Sequence, residues 1–235
     1  MINDLRVLAI IPARGGSKRL PGKNTKNLNG KPLIAWTIIS ALKSKYIDRL
    51  IVSTDNAEIA TVSEEYGAEV PFIRPSSLSS DIASTRDVVL HAVSELSDEF
   101  DLIVVLQPTS PLRITSDIDN SLELLESRSG DGVVSVCECE HSPLWSNRLP
   151  ENKSMKGFLS SEIQGLRSQD IPKYFRLNGA VYVYSTAKYL RSDFDLNTSN
   201  AYAFEMSIER SVDIDTKVDF MLANALMGER DIDFY

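Results

Sequence analysis

Cysteine, histidine and tryptophan are scarce: the 235 residues include two of each. Cys137 and Cys139 lie two apart in the strand-like run GVVSVCEC, and an extended backbone would point both to one face of a sheet. That is a poor geometry for a mutual disulfide, so they read as reduced thiols. The histidines are His91 and His141, and two thiols are too few ligands for a structural zinc. Positive charge is also in deficit, with 25 Lys and Arg against 33 Asp and Glu and a net charge of −8. No polyanion-binding field surrounds such a chain, so polymeric nucleic acid is not an expected partner, and any phosphate must be met by locally placed basic groups. No apolar run approaches the ~20 residues of a membrane span, and MINDLRV carries charges where a secretory leader has its apolar segment. A cytoplasmic protein without membrane association is the expectation.

With 43% hydrophobic residues, the chain has material for one large core, and a single domain over 1–235 is expected. RVLAIIPA (6–13) reads as a fully buried strand, because parallel strands covered on both faces need not alternate. A glycine-rich loop follows, then a helix over LIAWTIISALKS (33–44), entered through Gly30 and Pro32. RLIVST (49–54) is a second strand, with Asp55 as helix N-cap, a helix over 56–66 closed by Gly67, and a short strand at 68–73. A helix over about 86–96, the apolar strand 101–106, a helix capped near Thr115 or Ser116, and the strand 132–136 continue the pattern. Such alternation predicts an α/β, doubly wound, mostly parallel sheet, with ligands outside the carboxyl ends of its strands. Residues 140–175 are polar, proline-punctuated and weakly periodic, which suggests an inserted arm. Strands at 179–185 and 201–206, with a short helix between them, and a final helix over about 217–227 complete the order. Tyr184 and Phe204 read as core residues, and His91 as a structural one.

Three segments carry chemistry. Arg14, Gly15, Gly16, Ser17, Lys18, Arg19, Gly22 and Lys23 crowd the end of the first strand. Consecutive glycines let backbone N–H groups converge on an anion, and the cations supply the charge that a triphosphate requires. The spacing fits neither the P-loop nor the dinucleotide fingerprint; the plainer reading is a basic surface turn. Asp213 and Asp215, at i and i+2, can turn two carboxylates to one face for a hard divalent ion such as Mg2+. The alternative is that Asp215 caps the last helix. In LQPTSPLR (106–113), Gln107 emerges at the carboxyl end of the most apolar strand, stiffened by Pro108 and Pro111, while Arg113 reads as a surface charge beside a helix.

Taken together, IIPARGGSKRLPGKN (10–24), IVSTDN (51–56), RPSSLSSDIAS (74–84), LQPTSPLR, FRLNGAVYV (175–183) and SVDIDT (211–216) resemble the acylneuraminate cytidylyltransferases, the CMP-sialic acid synthetases. The resemblance covers nearly the whole chain in family order. It implies a Rossmann-like nucleotidyltransferase fold in which Arg14, Gly15, Gly16, Ser17, Lys23 and Asn24 bind CTP, with Arg74 and Thr85 near the cytidine. It implies that Asp213 and Asp215 hold magnesium, and that Arg14 and Lys23 act with them in catalysis. Gln107, Arg176, Asn178 and Tyr182 would face the sugar acid, Arg176 taking the carboxylate through a bidentate contact. The implied reaction is attack by the anomeric hydroxyl of a nine-carbon sialic-type acid on the α-phosphorus of CTP. Legionaminic, pseudaminic or eight-carbon keto-deoxy acids are alternative acceptors, and a non-catalytic nucleotide-binding protein is an alternative of another class. A homodimer joined through the 140–175 arm is also implied. The chain departs from the family pattern at Trp145, where a lysine can follow H-P-L, and at Arg167, displaced one position from its usual place before Q-D-L-P.

Overall fold

The computed structural model describes residues 1–196 and 200–229. Strand β1 (Val7–Pro12) lies inside the sheet, flanked on both sides by parallel neighbours, β4 (Arg49–Ser53) and β5 (Leu102–Val105). Its unbroken apolar run has a direct cause: Val7, Ala9 and Ile11 enter the core on one face while Leu8 and Ile10 enter the core on the other. Each of the Val, Leu and Ile side chains contributes roughly 1.5–3 kcal/mol on burial. Beyond β5 come β7 (Phe175–Ser185), antiparallel to its neighbours, then β6 (Gly132–Glu138) and β8 (Ala201–Glu205), which pair in parallel. The order β4-β1-β5-β7-β6-β8 makes the mostly parallel sheet that the alternating pattern predicts.

Helices α1 (Leu33–Leu42), α2 (Ala57–Glu65) and α4 (Thr115–Arg128) cover one face through Ile34, Ile38, Ile59, Ile118 and Leu122. Helix α3 (Thr85–Ser94) covers the other through Val89 and Ala92, with Tyr184 and, from α5 (Thr186–Tyr189), Tyr189. A third cluster joins Leu28, Leu33 and Trp36 to Ile214 and, on α6 (Lys217–Glu229), Ala223. Its Leu28 belongs to β2 (Asn27–Leu28), hairpinned with β3 (Lys31–Pro32), and the Leu28 carbonyl accepts from Trp36 Nε1 at 2.9 Å. This cluster seats the acidic 213–215 segment beside the loop after β1.

Several local expectations change. Residues 68–73 form two isolated parallel bridges, Ile51 to Glu69 and Thr54 to Ile73, instead of a strand; Pro71 between them lacks the N–H that a ladder needs. Helix α2 is capped by Asn56, whose Oδ1 accepts from Ile59 N at 3.0 Å, and Asp55 is turned to another task. Helix α4 begins after Ile114, whose N–H is met at 3.0 Å by Asp117, while the Thr115 hydroxyl donates to the Ser40 carbonyl on α1. Strand β7 starts four residues earlier than the 179–185 predicted, because its first two residues, Phe175 and Arg176, pair with Glu138 and Cys137. The 140–175 segment connects β6 to β7 with only short 3-10 turns, at Pro143–Trp145 and Ser168–Asp170.

Candidate active site

Beyond the carboxyl ends of β1 and β5 opens a cleft of about 500 Å³, lined among others by Arg14, Ser17, Lys23, Asn24, Arg74, Thr85, Gln107 and Asp215. The loop after β1 is held open by its neighbours. Asp55 Oδ1 accepts the Gly15 N–H at 2.9 Å, which explains why this carboxylate does not cap α2. Asn24, 6% exposed, donates from Nδ2 to the Arg14 carbonyl at 3.0 Å. Side-chain crowding also requires glycine here: a Cβ at Gly15 would lie 2.9 Å from Asn56 Nδ2, whereas one at Gly16 would meet nothing within 4 Å. Gly15→Ala is therefore expected to destabilise the fold by about 1–3 kcal/mol, by pushing on the α2 cap. Calorimetry should show a melting temperature several degrees lower, with Gly16→Ala close to the parent.

The cations of the loop differ in setting. Arg14 donates to the Ser80 carbonyl at 3.0 Å and pairs with Asp81 at 3.0 Å; Lys18 pairs with the same carboxylate, Lys18 and then Arg14 holding it below the usual carboxylate range. Lys23 is far more enclosed, its side chain 11% exposed against 40% for Arg14, and its Nζ donates to the Ile214 carbonyl at 2.7 Å and to Asp215 at 3.1 Å. Arg19 pairs with the other oxygen of Asp215 at 2.7 Å. Arg74 is 4% exposed, and its Nε and Nη2 lack hydrogen-bond partners; burial pushes its pKa down, partly offset by Asp55. The Asn24 Oδ1 acceptor is likewise buried without a partner. Orphaned donors and acceptors in one polar cleft are costly unless a ligand completes them.

Asp215 is not the cap of α6. Asp219 Oδ2 accepts from the Thr216 N–H at 2.7 Å and from the Thr216 hydroxyl at 2.8 Å, so Thr216 and Asp219 form the helix start and leave the Asp215 carboxylate to the cleft. Although water reaches Asp213, the surrounding protein strips part of its solvation and pushes its pKa up, against a hydrogen bond from Thr109 and with Asp215 adding like charge. Among the described residues no group of three or more His, Cys, Asp or Glu could form a self-sufficient metal cage. Asp213 and Asp215 offer carboxylate oxygens of the kind a hard divalent ion takes, with both Asp215 oxygens held by Lys23 and Arg19.

A second cavity, about 580 Å³, lies on the α3 face of the sheet, where Tyr182, Tyr184, Phe194, Leu196 and Tyr202 give it aromatic and aliphatic walls. Thr85 and Gln107 border both cavities. Burial pushes the Tyr182 hydroxyl's pKa up. The other two residues expected to face a sugar acid border neither cavity. Arg176 holds Glu140 with contacts of 2.6 and 3.2 Å, and Asn178, 1% exposed, is engaged inside the sheet. Trp145 is half-buried at the end of a 3-10 turn. Asp55, Asp81 and Thr109 were missed by sequence reasoning, because nothing in their local pattern says what their carboxylate or hydroxyl reaches.

A nucleotide-sized polar cleft at the strand ends of a mostly parallel α/β sheet, lined by cations and by Asp215, with Asp213 two residues away outside the lining, has the make-up of a nucleotidyltransferase site. A family model described as cytidylyltransferase matches residues 8–232, and the chain belongs to that family. It is 37% identical over 231 residues to a CMP-N,N'-diacetyllegionaminic acid synthase of Legionella pneumophila, covering 95% of this chain and 97% of that protein. An N-acylneuraminate cytidylyltransferase of Streptococcus agalactiae is 36% identical over 92% of this chain, which spans 52% of that longer protein. The solved structure of a CMP:2-keto-3-deoxy-manno-octonic acid synthetase complexed with CTP superposes with a TM-score of 0.70 at 19% identity, covering 95% of this chain and 99% of that one, a likeness of fold.

Proposed function

We propose that this chain transfers CMP from CTP to the anomeric hydroxyl of a nine-carbon sialic-type sugar acid and releases pyrophosphate. The observation that carries the reading is the pair of cavities meeting at Thr85 and Gln107, one polar and cationic, the other aromatic. CTP occupies the first, its phosphates beside Arg14, Ser17 and Lys23 and its cytidine beside Arg74 and Asn24. Arg74 Nε, which has no hydrogen-bond partner, and Nη2, 3.8 Å from Asp55 Oδ1, suit the carbonyl and ring-nitrogen acceptors of cytosine. The sugar acid occupies the second, between Gln107 and Tyr182.

The acceptor oxygen forms a bond to the α-phosphorus as the bond to the β-phosphate oxygen breaks, and the hydroxyl proton passes to solvent. Arg14 and Lys23 stabilise charge that develops on the departing pyrophosphate, and Gln107 orients the acceptor for in-line attack. Asp213 and Asp215 would hold magnesium, which supplies charge neutralisation at the phosphates. Exposed Leu149, Met155 and Leu166 on the arm support a homodimer made through that segment. The reading places the reaction in the cytoplasm, where CTP is available, and among the described residues no helix is long and apolar enough to cross a membrane.

A second acceptor, N,N'-diacetyllegionaminic acid, is favoured by the near end-to-end match with the Legionella synthase and by Trp145, a large aromatic in place of a cation. Incubation with CTP, magnesium and a panel of eight- and nine-carbon keto-deoxy acids should release pyrophosphate with nine-carbon acids and leave eight-carbon ones nearly inert. Silence across the whole panel overturns the reading; a preference for eight-carbon acids replaces the acceptor and keeps the chemistry.

A further inference from the structure

Arg113, expected at the surface, is 3% exposed, and its Nη1 donates to three carbonyls: Gln107 at 3.3 Å, Ser110 at 3.2 Å and Ala180 at 3.0 Å. Its Nε and Nη2 have no hydrogen-bond partner, and Asp117, whose charge acts on it, is engaged by Arg210 at 3.1 Å. Burial pushes its pKa down to about 10, so it remains a cation at neutral pH. A buried cation with two donor atoms unsatisfied is a poor choice for packing, where an aliphatic side chain would cost less. What it does provide is a fixed main chain at Gln107, tied across to β7.

The side chain of Gln107 is bounded from the other direction. Between Val134 paired with Tyr182 and Val136 paired with Leu177, β7 spends five residue steps against two on β6, a bulge carrying Gly179 at φ 76°. Asn178 holds that bulge: its Oδ1 accepts from the Ser135 hydroxyl at 2.6 Å and from Ala180 N at 3.1 Å, and its Nδ2 donates to the Ser211 hydroxyl at 2.9 Å. A Cβ on Gly179 would lie 3.1 Å from Gln107 Oε1. The same Oε1 accepts from the Thr109 hydroxyl at 3.4 Å, and the Thr109 carbonyl accepts from Ile214 N at 2.8 Å, beside the acidic pair.

We infer that Arg113 and Gly179 are positioning residues that brace Gln107 from its main-chain and amide ends, setting the pose in which it meets the acceptor where the two cavities join. This rests on the acceptor reading above. With both braces in place the amide is pre-organised, so acceptor binding does not have to order it. Neither Arg113 nor Gly179 lines the cationic cleft, so the loss of either acts through Gln107 and leaves the other groups beside the nucleotide in place.

Steady-state kinetics on the full chain with CTP, magnesium and the active nine-carbon acid test this. Gly179→Ala should raise KM for the acid tenfold or more and leave KM for CTP within twofold. Arg113→Lys should act in the same sense, and if it fails to fold, Gly179→Ala still decides. In a Gln107→Ala background the Gly179→Ala penalty should vanish, a non-additivity that a general loosening of the sheet would not produce. The inference is overturned if Gly179→Ala leaves the acid's KM unchanged, weakens CTP equally, or retains its full penalty without the Gln107 amide. If the parent protein releases no pyrophosphate with any acid, the acceptor reading fails, and the brace with it. Normal turnover by the parent with indifferent variants removes the brace alone.

Discussion

Asp215→Ala is expected to lower turnover about 10³-fold while the protein keeps its circular dichroism spectrum and melts within a few degrees of the parent. The size follows from the few kcal/mol that a metal at a reacting phosphoryl group supplies, at about 1.36 kcal/mol per tenfold in rate. Retention of the fold follows from the geometry. Thr216 and Asp219 carry the start of α6, so the helix does not lose its cap with the Asp215 carboxylate. The ion pair with Arg19 is open to water and worth about 0–1 kcal/mol, and the more enclosed Lys23 keeps the Ile214 carbonyl as its acceptor. Added magnesium should recover little of the rate, because the ligand rather than the ion is missing. A variant with near-parental turnover would mean that Asp215 only neutralises Lys23 and Arg19, and the acidic pair would lose its place in the mechanism.

Much of this was legible from the chain because two periodicities survive folding unchanged. The continuous run at 6–13 is continuous because β1 feeds both cores, and the 3.6-residue pattern of α4 is plain because only one of its faces meets the sheet. The glycine-rich basic loop was legible as a place: Arg14, Ser17, Lys18, Arg19 and Lys23 line the cleft beyond β1, as their crowding at a strand end suggested. What failed is what depends on distant partners. Asp55 and Asn56 are adjacent and both suit an N-cap, and the choice falls to Asn56 because Gly15, 40 residues away, claims Asp55. Arg113 looks like a surface charge until β7 brings the Ala180 carbonyl against it. Asn178 sits in a segment that resembles a substrate-facing motif, and only the β6–β7 bulge shows that both ends of its amide are committed within the protein. The run at 68–73 has strand composition, but Pro71 interrupts the ladder that composition suggests.

Lys23→Met should reduce kcat by about 10²–10³, the loss seen when one donor aimed at developing charge is removed from a water-poor site. Methionine preserves most of the stem's volume, so packing is disturbed little and the missing ammonium dominates. The other cations do not substitute for it. Lys18 is 80% exposed and Arg19 68%, so solvent screens both, whereas Lys23 at 11% acts through a poorly hydrated path and is tied to Ile214 and Asp215. Lys18→Met is therefore expected to stay within about threefold of the parent at physiological salt, as screened surface charges do. Stopped-flow or steady-state pyrophosphate release at saturating CTP separates the two, because a purely affinity-based role for Lys23 would be rescued by high CTP and a role at the transition state would not. Equal losses from both substitutions would show that the loop works through its summed charge. Loss confined to Lys23 would tie the chemistry to the one cation that the acidic segment and the loop hold jointly.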